Sequence, residues 1–148
     1  MNTLKTLLSA GALVIAGTLA APAAAQESSY KNGPVWEVSD IHVLPGQSEN
    51  YMDYLSTTWK KVQELGKAEG IVLDYHVLVN NNRRNGEPEL YLVVIYRDYQ
   101  TNAQQEAFEK KVNALLAQDR RIASTASAGR GKMREQMGSA EMQELVLK

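Results

Sequence analysis

Two short stretches, SDIHV at 39–43 and LDYHV at 73–77, share the pattern Asp-x-His-Val and hold both histidines of the chain, His42 and His76. Residues two apart on a strand point to the same face. Asp40 with His42, and Asp74 with His76, are therefore carboxylate–imidazole pairs wherever these segments are extended. Such pairs support three chemistries. Imidazole and carboxylate together suit zinc or iron. An imidazole alone can hydrogen-bond a ligand or shuttle a proton. The third use is a polar position on a surface that faces water, a ligand or a partner subunit. The chain has no cysteine, which excludes thiolate metal sites and a lipid-anchored cysteine. No serine sits in a Gly-x-Ser-x-Gly elbow, and no glycine loop of the phosphate-cradling kind is present.

Aromatic residues give a second set of candidates. Trp36, Trp59, Tyr51, Tyr54, Tyr75, Tyr91 and Tyr96 could line a pocket, although aromatics at helix and strand spacing are more often core. Trp36 shares the alternation of Asp40 and His42, and joins them as a ligand-binding or dimer-face candidate. Arg97, at the end of a candidate strand, is a further one. Arg97-Asp98 and Arg83-Arg84 otherwise read as surface charge rather than an anion site.

The elements that must position these residues follow from periodicity. VWEVSDIHVL (35–44) is β-branched and aromatic and reads as a strand, stopped by PGQ (45–47). From Glu49 to about Lys67, Tyr51, Met52, Tyr54, Leu55, Trp59, Val62 and Leu65 recur at spacings of three and four, which predicts an amphipathic helix with Ser48 as its cap. IVLDYHVLV (71–79) is a second strand. Its odd positions form an apolar face, and Val72, Asp74, His76 and Leu78 lie on the other. A polar turn (80–88) leads to ELYLVVIYR (89–97), apolar on both faces as a central strand is. Thr101 or Asn102 caps a second helix carrying Phe108, Val112, Leu115 and Leu116. KMREQMGS (132–139) reads as one or two further helical turns, and 141–148 as the last strand.

The amino terminus reads differently. Lys5, an uncharged run at 7–20 and the Ala23-Ala24-Ala25 ending form a secretory signal peptide over residues 1–25, cleaved before Gln26. The run is too short to span a bilayer, which needs roughly 20 residues, so no membrane anchor is expected after cleavage. The expected location is the bacterial periplasm or the exterior. Residues 26–34 form a polar lead-in and 35–148 a single domain, a length that suits one core. The formal net charge is −1, and losing Lys5 makes it one unit more negative. That balance gives no basis for nucleic-acid binding.

Strand, helix, strand, strand, helix, strand is the βαββαβ order of ferredoxin-like α+β domains. Right-handed crossovers predict a four-stranded antiparallel sheet in the order 4-1-3-2, with two main helices on one face. The third strand then separates the two Asp-x-His pairs by about 9.6 Å, two strand spacings. No single ion reaches both at the bond lengths of about 2 Å that metals need, so no metal and no cofactor is assigned. The uncovered face, with Trp36, Val38, Val72 and Leu78, is apolar enough to require a partner. A second copy packed sheet against sheet in a two-fold homodimer provides one.

This order, together with VWEVSDIHVLPG, YMDYLSTTWKK and GKMREQMGSAEMQELVLK, resembles the dimeric α+β barrel superfamily, and within it a branch of short exported bacterial proteins without assigned activity. The resemblance implies a dimer that binds a small apolar or aromatic ligand between sheet and partner. Wider relatives include cofactor-free monooxygenases, muconolactone isomerases, haem-degrading enzymes and haem peroxidases. A cofactor-free monooxygenase or isomerase is thus one alternative, and a haem or metal binder using His42 or His76 is another. No catalytic motif of those relatives is legible, so no catalytic role is carried onto a residue here.

Overall fold

A computed structural model describes residues 27–148. The signal peptide read over 1–25 lies outside the described residues. Strand β1 (Tyr30–Val43) leads into helix α1 (Ser48–Tyr54), a π-helical turn (Leu55–Trp59) and helix α2 (Lys60–Ala68). Strands β2 (Val72–Val79) and β3 (Leu90–Tyr96) follow, then helices α3 (Asn102–Leu115) and α4 (Arg120–Arg130), and strand β4 (Arg134–Leu147). The sheet is four-stranded and antiparallel throughout, in the order β2-β3-β1-β4. Read from the other edge, this is the 4-1-3-2 order expected from the sequence. The fold class is α+β.

The helix over 48–68 runs as expected, with local differences. Ser48 is its first residue rather than its cap, and the capping position falls to Gln47, whose side chain makes no capping bond. The π turn coincides with Ser56 and Thr57, whose hydroxyls donate to the Asp53 carbonyl at 3.0 and 2.6 Å. Such back-bonding loosens the regular helical ladder. At the other end Gly70 takes φ +71°, and the Ile71 N–H donates to the Gly66 carbonyl at 3.0 Å, the closure that favours glycine after a helix. Thr101 caps α3 in a reciprocal box with Gln104.

Cross-strand register assigns the two faces. Val35, Glu37, Ser39, Ile41 and Val43 share a face with Leu90, Leu92, Val94 and Tyr96, and this face meets the helices. Ile41, Val43 and Leu92 pack there with Tyr51 and Leu55, flanked by Tyr54, Trp59 and Met133. The open face carries Trp36, Val38 and Asp40 beside Ile95, Val93 and Tyr91, Asp74, His76 and Leu78 on one side, and Met142, Ala140 and Gly138 on the other.

Four expectations are corrected. Val72 pairs with Tyr96 and Asp74 with Ile95, so Leu73 is the extra residue of a bulge. Val72 is thereby turned to the helix side and is 4% exposed, not on the open face. Strand β1 begins at Tyr30, inside the lead-in, and its extra length pairs with β4. That pairing recruits 134–139, part of the stretch 132–139 read from sequence as helical turns, into a strand. The helix layer also holds a separate element, α4. Ala117, at φ +48°, ends α3, and the Asp119 side chain accepts from the Ile122 N–H at 2.9 Å to start α4.

Candidate functional site

The two Asp-x-His pairs lie on the open face but do not meet. Asp74 stands level with Ile95 and Trp36, His76 with Val93 and Val38, and Leu78 with Tyr91 and Asp40. His42 is four residues past Val38 along β1. The two imidazoles therefore start about 10 Å apart across the sheet and about 13 Å apart along it. The sequence estimate of about 9.6 Å covered only the separation across the sheet. Among the described residues no three His, Asp or Glu side chains converge on a point.

Each histidine has its own surroundings. His76 Nε2 lies 3.7 Å from Asp74, and Asp74 also accepts from the Tyr75 N–H at 3.0 Å and from Lys67 at 3.4 Å. The backbone bond first, then Lys67, holds the Asp74 carboxyl below the usual range. His42 Nδ1 lies 3.6 Å from Glu89. Glu89 already pairs with Arg83 at 2.9 Å and accepts from the Val43 N–H at 2.8 Å. Each imidazole thus has one carboxylate neighbour at the sheet surface. Trp36 donates its indole N–H to Glu144 at 2.9 Å. Arg97 is apart from all of these, donating to the Gly70 carbonyl at 3.0 Å.

A different constellation lies on the helix side. No residue of α3 is fully buried, so this helix stands off the sheet and leaves a cleft of about 540 Å³. Its walls include Val35, Tyr99, Phe108 and Val112, and its floor Glu37, Tyr96 and Glu141. A cavity of about 310 Å³ adjoins it around Tyr99 and Phe108, with Arg97 and Lys111 on its rim. Lys111 is ion-paired with Glu69, which ties α3 to the end of α2.

Glu37 and Glu141 sit directly opposite each other on adjacent strands. Two carboxylates in that relation repel. Tyr96 partly relieves this by donating its hydroxyl to Glu37 at 3.0 Å. Burial pushes the Tyr96 phenol well above its ordinary range, and the charges of Glu37 and Glu141 push it further the same way. Tyr96 is accordingly held as a neutral phenol that donates a hydrogen bond, with Glu37 the acceptor beside it, at the floor of the cleft. Such a pair can orient a polar group of a bound molecule or relay a proton.

Of these residues the sequence offered Tyr96 as one of several aromatics that could line a pocket, but it did not single out Glu37 or Glu141. The available signal was the interruption of the helix-facing alternation of β1 by Glu37 and Ser39. Glu141 could not be paired with Glu37 while β4 lacked its first half and hence its register.

No protein-family model matches the chain, and no curated protein matches it. Among solved structures the chain is similar to PA3566 from Pseudomonas aeruginosa, at 16% identity over 78% of this chain and 96% of that one, with a TM-score of 0.46.

Proposed function

We propose that the protein is an exported, ferredoxin-like domain of the dimeric α+β barrel kind that binds a small apolar or aromatic molecule in the cleft between α3 and the sheet. The observation that carries this reading is the cleft itself: an apolar wall of Phe108 and Val112 over a floor holding the Tyr96–Glu37 hydrogen bond. The lining also carries Asp98, Gln100, Gln105 and Glu109, so the aromatic and aliphatic wall is joined by polar groups that can orient a ligand, as in small-molecule sites. The position differs from the sequence expectation of a ligand between sheet and partner, because the cleft opens on the helix side. The open face is left for a second copy. Leu78 and Met142 are about half exposed there, beside Val38 and Trp36, and a sheet face of this composition favours a two-fold partner.

The neutral dye N-phenyl-1-naphthylamine tests the ligand site. Saturable one-to-one fluorescence enhancement is expected, weakened about tenfold or more by Phe108→Ala, which removes wall area worth roughly 1–3 kcal/mol. Binding that is unchanged in Phe108→Ala would place the dye elsewhere and refute the site. Export is tested by the mass of protein recovered from the periplasm of a bacterial host, which should begin at Gln26.

The Tyr96–Glu37 pair also favours a second reading, a cofactor-free monooxygenase or isomerase in which Glu37 takes a proton from substrate and Tyr96 orients it. On that reading Glu37→Gln abolishes turnover while leaving dye binding within about twofold. Turnover that survives Glu37→Gln removes the pair from the chemistry. The separation of the histidines tells against one metal ion shared by both and does not bear on a haem held by a single imidazole.

A further inference from the structure

The charge of the α3 cleft is one-sided. Glu37, Asp98, Glu109 and Glu141 line it, and no lysine or arginine does. Among the described residues none of these four carboxylates forms an ion pair. Glu37 and Glu141 come from adjacent strands, directly opposite each other. Glu109 comes from α3, and Asp98 from the segment between β3 and α3. Negative groups thus reach the cleft from the sheet and from the helix. The partners they have are dipoles: the Tyr96 hydroxyl donates to Glu37 at 3.0 Å, and the Tyr99 N–H to Asp98 at 2.8 Å. The charges of Glu37 and Glu141 both act on the Tyr96 phenol, so their field falls on the floor, and low-dielectric walls concentrate such a field. The neighbouring cations are engaged elsewhere. Lys111, on the rim of the adjoining cavity, is paired with Glu69, and Arg97 donates to the Gly70 carbonyl.

Tyr96, Tyr99 and Phe108 bring aromatic rings to the same cleft, and the face of such a ring attracts a cation. The carboxylates do not gather as metal ligands: among the described residues no group of three or more is placed to hold an ion. Negative charge spread over an aromatic-walled cavity of about 540 Å³ suits a large organic cation better than a metal ion, which needs its oxygens at about 2.0–2.6 Å. We propose that the ligand of the α3 cleft is an organic cation, an amine or quaternary ammonium on an aromatic or hydrocarbon body. Its charged nitrogen lies by Glu37 and Glu141, and its body against Tyr99, Phe108 and Val112. This ligand class, which rests on the reading of the cleft as a binding site, adds the charge of what the cleft takes. The cavity and its rings make the site, and the one-sided charge selects among molecules of similar shape, rejecting anions by repulsion.

Calorimetric titration at low salt and pH 7 with phenylbutylamine, phenylbutanol and phenylbutyrate tests this, because the three share a body and differ in charge. The amine is protonated there, as alkylamines are below about pH 10. It is expected to bind one-to-one and about tenfold or more tighter than the alcohol, the effect of one charge-assisted contact, with the acid weakest. Added salt should weaken the amine and leave the alcohol nearly unchanged. Glu109→Gln and Glu141→Gln, at exposed positions outside the core, should each weaken the amine about threefold or more. Glu106→Gln, which removes the same charge from α3 outside the lining, should not. Phe108→Ala should weaken amine and alcohol alike, which places both in the cleft. If the alcohol and N-phenyl-1-naphthylamine bind in a Phe108-dependent manner but the amine binds no tighter than the alcohol, the cleft stands as a ligand site and the cationic class is overturned. If none of the amine, the alcohol and the dye saturates, the ligand site itself falls, and the cationic class with it. Amine binding that is unchanged in Phe108→Ala, or unchanged in both Glu109→Gln and Glu141→Gln, overturns the cationic class as well.

Discussion

Tyr96 and Glu37 hold each other in place, and the charge state of Tyr96 decides whether they do. The folded protein keeps this phenol protonated above the ordinary value of 10.0. Its contribution to stability is therefore complete below pH 10 and is lost as pH rises through the higher folded value. Tyr96→Phe should cost about 2 kcal/mol near pH 7, the worth of a bond to a charged acceptor, and the gap between variant and parent should close above pH 10. Urea melts at pH 7, 9 and 11 read this directly, and a gap that stays constant would show that the hydroxyl is not the source. Tyr75, raised to about 12 by its bond to Glu64, loses its share in the same window in both proteins and cancels. At this scale the sequence exposed the polar residues of the open face, because two histidines stand out by type. It did not expose Glu141, whose significance comes from Glu37 standing opposite it.

Close approach between elements rests on small residues. Gly66 lies where α2 crosses β2, and a Cβ there would come within 2.6 Å of the Val72 side chain. Gly66→Ala should therefore destabilise by about 1–3 kcal/mol despite the better helix propensity of alanine. Gly129, inside α4 with nothing within 4 Å of an added Cβ, should respond with the opposite sign, Gly129→Ala stabilising by up to about 1 kcal/mol. Denaturant midpoints for the pair test the packing of α2 and the helical state of Gly129 together. The order of strands and the main helices was legible because the 3.6-residue and two-residue periods are clear in 49–67, 71–79 and 89–97. Residues 132–140 were not, because Met133, Met137 and Gly138 carry no period and acquire a strand only by pairing with β1. The bulge at Leu73 was hidden for a similar reason. Ile71, Val72 and Leu73 are all apolar, so a one-residue shift that turns Val72 inward leaves no mark in the pattern.

Across the whole molecule the sheet divides two tasks. On the proposed account the open face joins a second copy and the helix side holds a ligand. Val38 sits mid-face between Val93 and Ala140, so Val38→Glu places two like charges close together at the proposed two-fold interface. Sedimentation should show a dimer for the parent and a monomer for Val38→Glu at micromolar concentration, whereas an unchanged profile would remove the open face as the interface. The bare apolar face was readable from sequence once two helices were assigned to one side. The α3 cleft was not, because whether an amphipathic helix lies flush against a sheet or stands off it depends on side-chain volumes summed over three elements. The most direct measurement is a methyl NMR titration of the protein with N-phenyl-1-naphthylamine. The account predicts that the methyl signals of Val35 and Val112, which line the cleft, shift to saturation while those of Val38 and Leu78 on the open face stay in place. Shifts at Val38 and Leu78 with Val35 and Val112 unmoved would contradict it.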